Sequence, residues 1–123
     1  MRIGNNFFAA VLLGVPLWVS SAAAARTPYD GLWSVAIITD SGTCDRGYRY
    51  ALQITDGKVT YDDPSFNVSG QVNARGQVTV MVSFGDEVAS GTGRLLRDTG
   101  EGMWSGHSST SQCSGHWEAE RRG

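Results

Sequence analysis

Tyr48-Arg49-Tyr50-Ala51-Leu52-Gln53-Ile54-Thr55-Asp56-Gly57-Lys58-Val59 reads as a strand, a two-residue turn and the start of a second strand. Tyr48, Tyr50, Leu52 and Ile54 fall on one face, Arg49, Ala51 and Gln53 on the other. Side chains of an extended chain alternate between faces, so this pattern gives one dry face and one wet one, as antiparallel sheets allow. Asp56-Gly57 supplies the left-handed backbone that a tight hairpin needs.

The same period-2 pattern recurs on both sides of this hairpin. Phe66, Val68, Gly70 and Val72 alternate with Asn67, Ser69 and Gln71. Val78, Val80, Val82 and Phe84 alternate with Gln77, Thr79, Met81 and Ser83, and Cys113, Gly115, Trp117 and Ala119 with Ser114, His116, Glu118 and Glu120. Helical periodicity never persists for three turns. Eight strands are expected: Gly31–Ile38, Tyr48–Ile54, Lys58–Tyr61, Phe66–Val72, Gln77–Phe84, Val88–Leu95, Gly102–Gly106 and Gln112–Glu120.

Every link between these strands is short. Turn formers stand at Asn73 to Gly76, Gly85-Asp86 and Asp98 to Gly100. Each strand is therefore expected beside its sequence neighbours, in an all-β, eight-stranded, antiparallel up-and-down meander closed into a small barrel. Closure removes the exposed edges that an open sheet leaves. A two-sheet β-sandwich is the competing arrangement. The cysteines favour the barrel: Cys44 follows the first strand and Cys113 opens the eighth, so a bridge between them would clamp the seam of a closed meander.

The first 25 residues read as a secretory signal peptide. Arg2 gives a positive start, Phe7 to Val19 is an apolar run of 13 residues, and Ser20-Ser21-Ala22-Ala23-Ala24-Ala25 offers small residues for cleavage. The run is shorter than the roughly 20 residues of a spanning helix, and Pro16 interrupts it. No membrane span is expected after cleavage. What remains is an extended segment over 26–30 and one domain over 31–123, in a periplasmic or secreted protein. A chain this short buries only about 60–65% of its unfolded surface, so a staple matters. Export carries Cys44 and Cys113 to an oxidising compartment, where a disulfide is expected.

Without Arg2 the chain carries nine basic and 12 acidic side chains, a net charge near −3. It has no broad basic footprint for a phosphate backbone, which argues against nucleic acid. Trp33, Trp104 and Trp117 fall on core-phase positions, where they are expected to fill the space that Gly91 and Gly93 leave in the sixth strand. A glycine-lined ligand cavity is the alternative.

Catalytic signatures are weak. His107 and His116 are the only histidines, and no Gly-x-Ser-x-Gly elbow accompanies them. A small hydrolase is the lesser alternative; no catalytic residue is assigned. Cys113 and His116 are an odd number of residues apart and face opposite sides of a strand, so they do not make a zinc site. No metal site and no cofactor are expected. Asp62-Asp63 reads as a solvated turn, and Asn67-Val68-Ser69 matches a glycosylation acceptor that matters only in a glycosylating host.

Topology supplies the functional expectation. In a meander alternate loops share an end, and one end collects Thr39–Gly47, Asp62–Ser65, Gly85–Glu87 and His107–Ser111. Those loops carry Asp40, Asp45, Asp62, Asp63, Asp86 and Glu87 against a single Arg46, with His107 beside them. Longer loops on a rigid scaffold are where binding groups tend to sit. The chain is thus expected to be a non-enzymatic binding protein whose acidic loop end engages a basic protein, a cation or a small ligand. A structural or envelope-associated role, with contacts through outward residues such as Gln53 or Gln71, is the alternative.

Gly31-Leu32-Trp33, Cys44, Tyr48-Arg49-Tyr50 and Cys113-Ser114-Gly115-His116-Trp117-Glu118-Ala119-Glu120-Arg121 together resemble small exported β-barrel proteins of uncharacterised function from Gram-negative bacteria. The resemblance covers nearly all of the mature chain and implies compartment and architecture, but no site residues. In architecture the domain is similar to avidin-like and lipocalin-like barrels. No lipocalin or biotin-binding motif is present, so their ligands do not carry over. The likeness to periplasmic lysozyme inhibitors, also small disulfide-bearing barrels, stops at the fold because their loop motif is not recognisable here.

Overall fold

The structure, a computed structural model, describes Thr27–Gly123. The leader expected over 1–25 lies outside the described residues. Eight strands follow one another: β1 Gly31–Ser41, β2 Gly47–Thr55, β3 Lys58–Thr60, β4 Asn67–Val72, β5 Gln77–Phe84, β6 Glu87–Leu95, β7 Thr99–His107 and β8 Gln112–Arg121. Each pairs antiparallel with the next, and β8 returns to β1, closing the barrel. The sandwich is excluded, since the two terminal strands are hydrogen-bonded neighbours from Trp33↔Arg121 to Ser41↔Ser114.

Register places the alternating faces as the sequence pattern requires. Trp33↔Leu52, Ile54↔Val59, Val59↔Gly70, Val80↔Gly91 and Gly102↔Trp117 are opposed pairs on the inner face. At Asp56-Gly57 both residues have positive φ, 53° and 79°, which is the hairpin geometry expected of that pair.

Most strands differ from expectation by a residue at one or both ends, and β1 and β7 by more. β1 runs three residues further, to Ser41, because β8 keeps pairing with it through a bulge between Thr39 and Ser41. Asp40 is therefore a strand residue, not a loop residue. β7 spans Thr99–His107 instead of Gly102–Gly106. Thr99-Gly100-Glu101 carries little strand signal of its own, but β6 and β8 lie on either side and Gly100 pairs with both Leu95 and Ala119. His107 accordingly ends a strand, and Glu87 begins one. Within the segment expected to be extended over 26–30, Thr27–Asp30 bends into a turn, with the Asp30 amide donating to the Thr27 carbonyl at 3.3 Å.

The two ends of the barrel are finished differently. Its lower half, where the hairpins β2–β3, β4–β5 and β6–β7 turn, is packed by Trp33, Ile54, Val59, Val72, Leu95 and Trp117, all buried. Tyr29 packs beneath this cluster, and its carbonyl accepts from Nε1 of Trp33 at 2.9 Å. The turn is held in place by Arg121, which donates to the carbonyls of Pro28 and Asp30, each at 2.7 Å. Asp30 accepts from the backbone amides of Asp56 and Gly57. The N-terminal segment thus seals the lower end. Among the described residues there is no helix long and apolar enough to cross a membrane.

Candidate functional site: the open end of the barrel

At the upper end the inner face is no longer dry. Inward positions on β2 and β5 carry Tyr48, Tyr50 and Phe84, joined by Tyr61 and Phe66 of the β3–β4 loop, and all are half-buried or exposed. Tyr48 keeps 55% of its surface and Phe84 44%, whereas Trp33, at the same phase in the lower half, keeps 1%. The opposing strands present small residues at this level: Ala89 and Gly91 on β6, Gly106 on β7 and Gly115 on β8. At this level an aromatic wall stands across from small residues, and its outermost rings, Tyr48 and Phe84, are exposed.

The aromatic wall is continuous. Ring centroids lie 5.8 Å apart for Tyr48–Tyr50, 5.6 Å for Tyr50–Tyr61, 5.2 Å for Tyr61–Phe66 and 4.6 Å for Phe66–Phe84. Most of these contacts are tilted or edge-on, the arrangement that aromatic quadrupoles favour, and the Phe66–Phe84 pair is stacked. Trp104 lies on the other side, and its Nε1–H donates to the Ile38 carbonyl at 2.9 Å.

Sequence reading assigned Tyr48, Tyr50, Phe66 and Phe84 to the core face, which is correct, but did not separate the packed level from the open one. The signal was available in position along the strand: each ring lies next to one of the longer loops, not next to a hairpin. Of the three tryptophans expected inside, Trp33 and Trp117 are buried core and Trp104 is half-buried at the open end. Trp117 occupies the space left by the β6 and β7 glycines.

The expected acidic residues have separate surroundings. Asp40 points outward from β1 and bonds Nδ1 of His116 on β8 at 2.7 Å, so it belongs to the outer wall and not to the mouth. That bond is the main reason the His116 imidazole titrates above its ordinary value. Asp63 accepts from the Ser65 amide and shapes the β3–β4 loop. Asp86 accepts from the amide and hydroxyl of Ser109, which ties the β5–β6 loop to the β7–β8 loop and holds its carboxyl below the usual range.

Asp45, Asp62 and Glu87 remain as carboxylates at the open end with no ion pair among the described residues. Glu87 sits at an inward phase opposite Phe84. The negative potential of this end registers on the phenols. Hydrogen bonding to Asp45 raises the Tyr48 hydroxyl's pKa, with the charges of Asp45 and Glu87 adding to it. Tyr50 is raised first by burial, then by Tyr61, Glu87 and Asp45.

Cys44 and Cys113 form the disulfide at this end, with Cα atoms 6.2 Å apart. It joins the β1–β2 loop to the start of β8, while the Thr39 hydroxyl donates to the Asp45 carbonyl at 2.6 Å and its amide to the Arg46 carbonyl. The mouth is therefore mounted on a cross-linked rim. A disulfide of this kind is compatible with an oxidising compartment.

Catalytic geometry is thin. His107 is exposed at the end of β7 and its backbone pairs with Val88 and Gln112. His116 has a carboxylate on Nδ1, but Nε2 faces Glu118 at 3.9 Å where a nucleophile's hydroxyl would have to lie. Among the described residues no three His, Cys, Asp or Glu side chains converge as metal ligands. A shallow outer depression of about 550 Å³, lined by Gln71, Asn73, Gln77, Thr79 and Thr92 among others, is open to solvent and carries no charged side chain. No family model matches this chain, and comparison with curated proteins and with solved structures finds no match.

Proposed function

We infer that the protein is a non-enzymatic binding protein of the periplasm or the extracellular space, and that it engages a positively charged partner at the open, acidic end of its barrel. The supporting observation is the asymmetry between the ends. One is sealed by Tyr29, Asp30 and Arg121; the other is open, aromatic and lined with carboxylates of which Asp45, Asp62 and Glu87 have no cationic partner. A rigid concave site with one sign of charge concentrates oppositely charged ligands.

The test is capture from periplasmic extract by the mature protein and by Asp45→Asn/Asp62→Asn/Glu87→Gln. Asp63 and Asp86 are left intact because they hold their loops. Basic proteins retained by the wild type, released by salt and lost with the variant support the reading. An identical set of captured proteins overturns it.

A second reading rests on the outer wall. Ser69, Thr79, Met81, Ser90, Thr92 and Met103 form an uncharged surface across β4 to β7, with Met81 48% and Met103 63% exposed. In a structural or envelope-associated protein that wall makes the contacts. Gln71→Lys/Met103→Lys then abolishes association while neutralising the acids has no effect.

A further inference from the structure

We propose that the aromatic mouth is a receptor for one protruding arginine side chain of a basic protein, its guanidinium seated against the Tyr48–Tyr50 and Phe66–Phe84 rings and its charge met by Glu87 and Asp45. This deepens the reading above and rests on it.

Depth decides what kind of occupant fits. The lower half is filled by Trp33 and Trp117, and the rings of the upper half already touch one another at 4.6 to 5.8 Å. What the rings present is an exposed aromatic face, whereas small-ligand sites bury most of their ligand in about 300–1,000 Å³ of enclosed volume. Such a face accepts the tip of a side chain whose remaining affinity comes from the surface that carries it.

Chemistry decides which tip. Aromatic faces attract cations, and they do so best where water is partly excluded. Carboxylates beside the rings exclude an anionic or purely apolar occupant, because binding one would desolvate charges that gain no partner. Arginine suits such a site better than lysine. Its guanidinium is planar, stacks on rings, pairs with carboxylates through a fork of N–H donors and sheds water more easily than an ammonium. Tyr48 and Phe84, the most exposed rings, stand at the entrance. The small residues opposite, Ala89 and Gly106, keep the entrance from closing. Tyr48 is raised first by its hydrogen bond to Asp45 and Tyr50 first by burial, and the charges of Asp45 and Glu87 add to both.

The experiment titrates the disulfide-bonded mature protein with acetyl-(Gly-Ser-Arg)3-amide, the lysine and citrulline versions of that peptide, and free arginine, read by NMR. The expected result is saturable shifts confined to Tyr48, Tyr50, Phe66, Phe84 and Trp104 and their neighbours. The arginine peptide binds several-fold more tightly than the lysine peptide, and citrulline, which keeps the shape without the charge, gives no shifts. Glu87→Gln and Tyr48→Ser each weaken the arginine peptide by about tenfold. Tyr48 is exposed enough that its loss spares the fold, and Phe84→Ser serves as the second aromatic test.

Shifts spread over the loop acids and unchanged by Tyr48→Ser or Phe84→Ser overturn the arginine receptor while leaving the acidic end as a general electrostatic surface. Free arginine binding as tightly as the peptide assigns the mouth to a small ligand and likewise overturns the proposal. An absence of shifts with every peptide does so too, and extract capture by the acidic end then stands or falls on its own result.

Discussion

A β-carbon placed on Gly102 of β7 would lie 2.6 Å from Cζ2 of Trp117 on β8, so the indole occupies the space where a side chain at that position would stand. Gly93 on β6 is crowded by the same ring, and Nε1 of Trp117 donates to the Thr92 carbonyl at 3.2 Å. Gly93 and Gly102 thus make room for the indole and for the close approach of the Glu101 and Thr92 carbonyls, and the packed level of the barrel depends on that fit.

Gly102→Ala is expected to lower stability by about 1–3 kcal/mol, the usual range for overfilling a packed core. Trp117→Ala, which empties the same space, is expected to cost about 3–5 kcal/mol. Urea unfolding followed by far-UV circular dichroism measures both. If Gly102→Ala is neutral, the fit is not a tight one.

The Cys44–Cys113 bridge closes a loop of 69 residues around nearly the whole barrel. Chain entropy assigns such a closure about 4 kcal/mol. A domain of this size has about 5–15 kcal/mol in all, so the bridge is a large share of it. Cys44→Ser/Cys113→Ser is expected to lose most of that amount and to loosen the mouth before the lower half, because the bridge lies at the upper rim. Hydrogen exchange resolves the order: amides of Thr39 and Cys113 should exchange well ahead of those of Ile54 and Leu95. Uniform loss of protection would mean that the barrel opens as a single unit.

How much of this was legible in the sequence differs by level. Period-2 alternation in 48–54, 66–72 and 77–84, together with Asp56-Gly57, carried the strand number and the inward faces, and the short links with the placement of Cys44 and Cys113 carried closure. The strand ends were harder. Thr99-Gly100-Glu101 has no strand propensity of its own and is drawn into the sheet by β6 and β8, a tertiary effect. The acidic end was legible as a composition of loops, but the partners of its members were not. Asp40 meets His116 across 76 residues at the β1–β8 seam, and Asp86 meets Ser109 across 23 between loops at one end, contacts that tertiary structure creates.

His116 gives a pH prediction with a definite sign. Its pKa is raised in the folded protein, chiefly by the hydrogen bond to Asp40, against some desolvation and with Glu118 adding to it. The pairing therefore contributes its full stability below the unfolded value near 6.5 and loses it as pH rises through the higher folded value. The site is exposed, so the effect is small and screened by salt. NMR titration of the imidazole is expected to show a raised midpoint that Asp40→Asn returns toward 6.5. A midpoint unmoved by Asp40→Asn would assign the shift elsewhere.

The seal at the lower end has the opposite sign and two separable parts. Burial alone would raise the Asp30 carboxyl, but hydrogen bonds from the Thr27 hydroxyl and from the amides of Asp56, Gly57 and Thr27 outweigh it, and the folded pKa is lowered. Its contribution is present above the unfolded value near 3.8 and disappears as pH falls through the lower folded value. Arg121 supports the seal through other contacts. It holds the carbonyls of Pro28, Asp30 and Arg97 and lies 4.8 Å from the centre of the Trp33 ring. Arg121→Ala is expected to cost about 2–3 kcal/mol, nearly all of it independent of pH, since three carbonyls lose a charged donor and the ring its cation; the exposed ion pair with Asp98 at 3.5 Å adds little. Asp30→Ala is expected to cost about 1–2 kcal/mol at neutral pH and progressively less in acid, where the wild type has itself lost the charge. Unfolding midpoints of the two variants measured from pH 7 down to pH 3 separate the roles. The Asp30→Ala difference from wild type should narrow in acid, and the Arg121→Ala difference should not. Parallel narrowing of both would mean that Arg121 acts through the Asp30 charge and not through the carbonyls it holds.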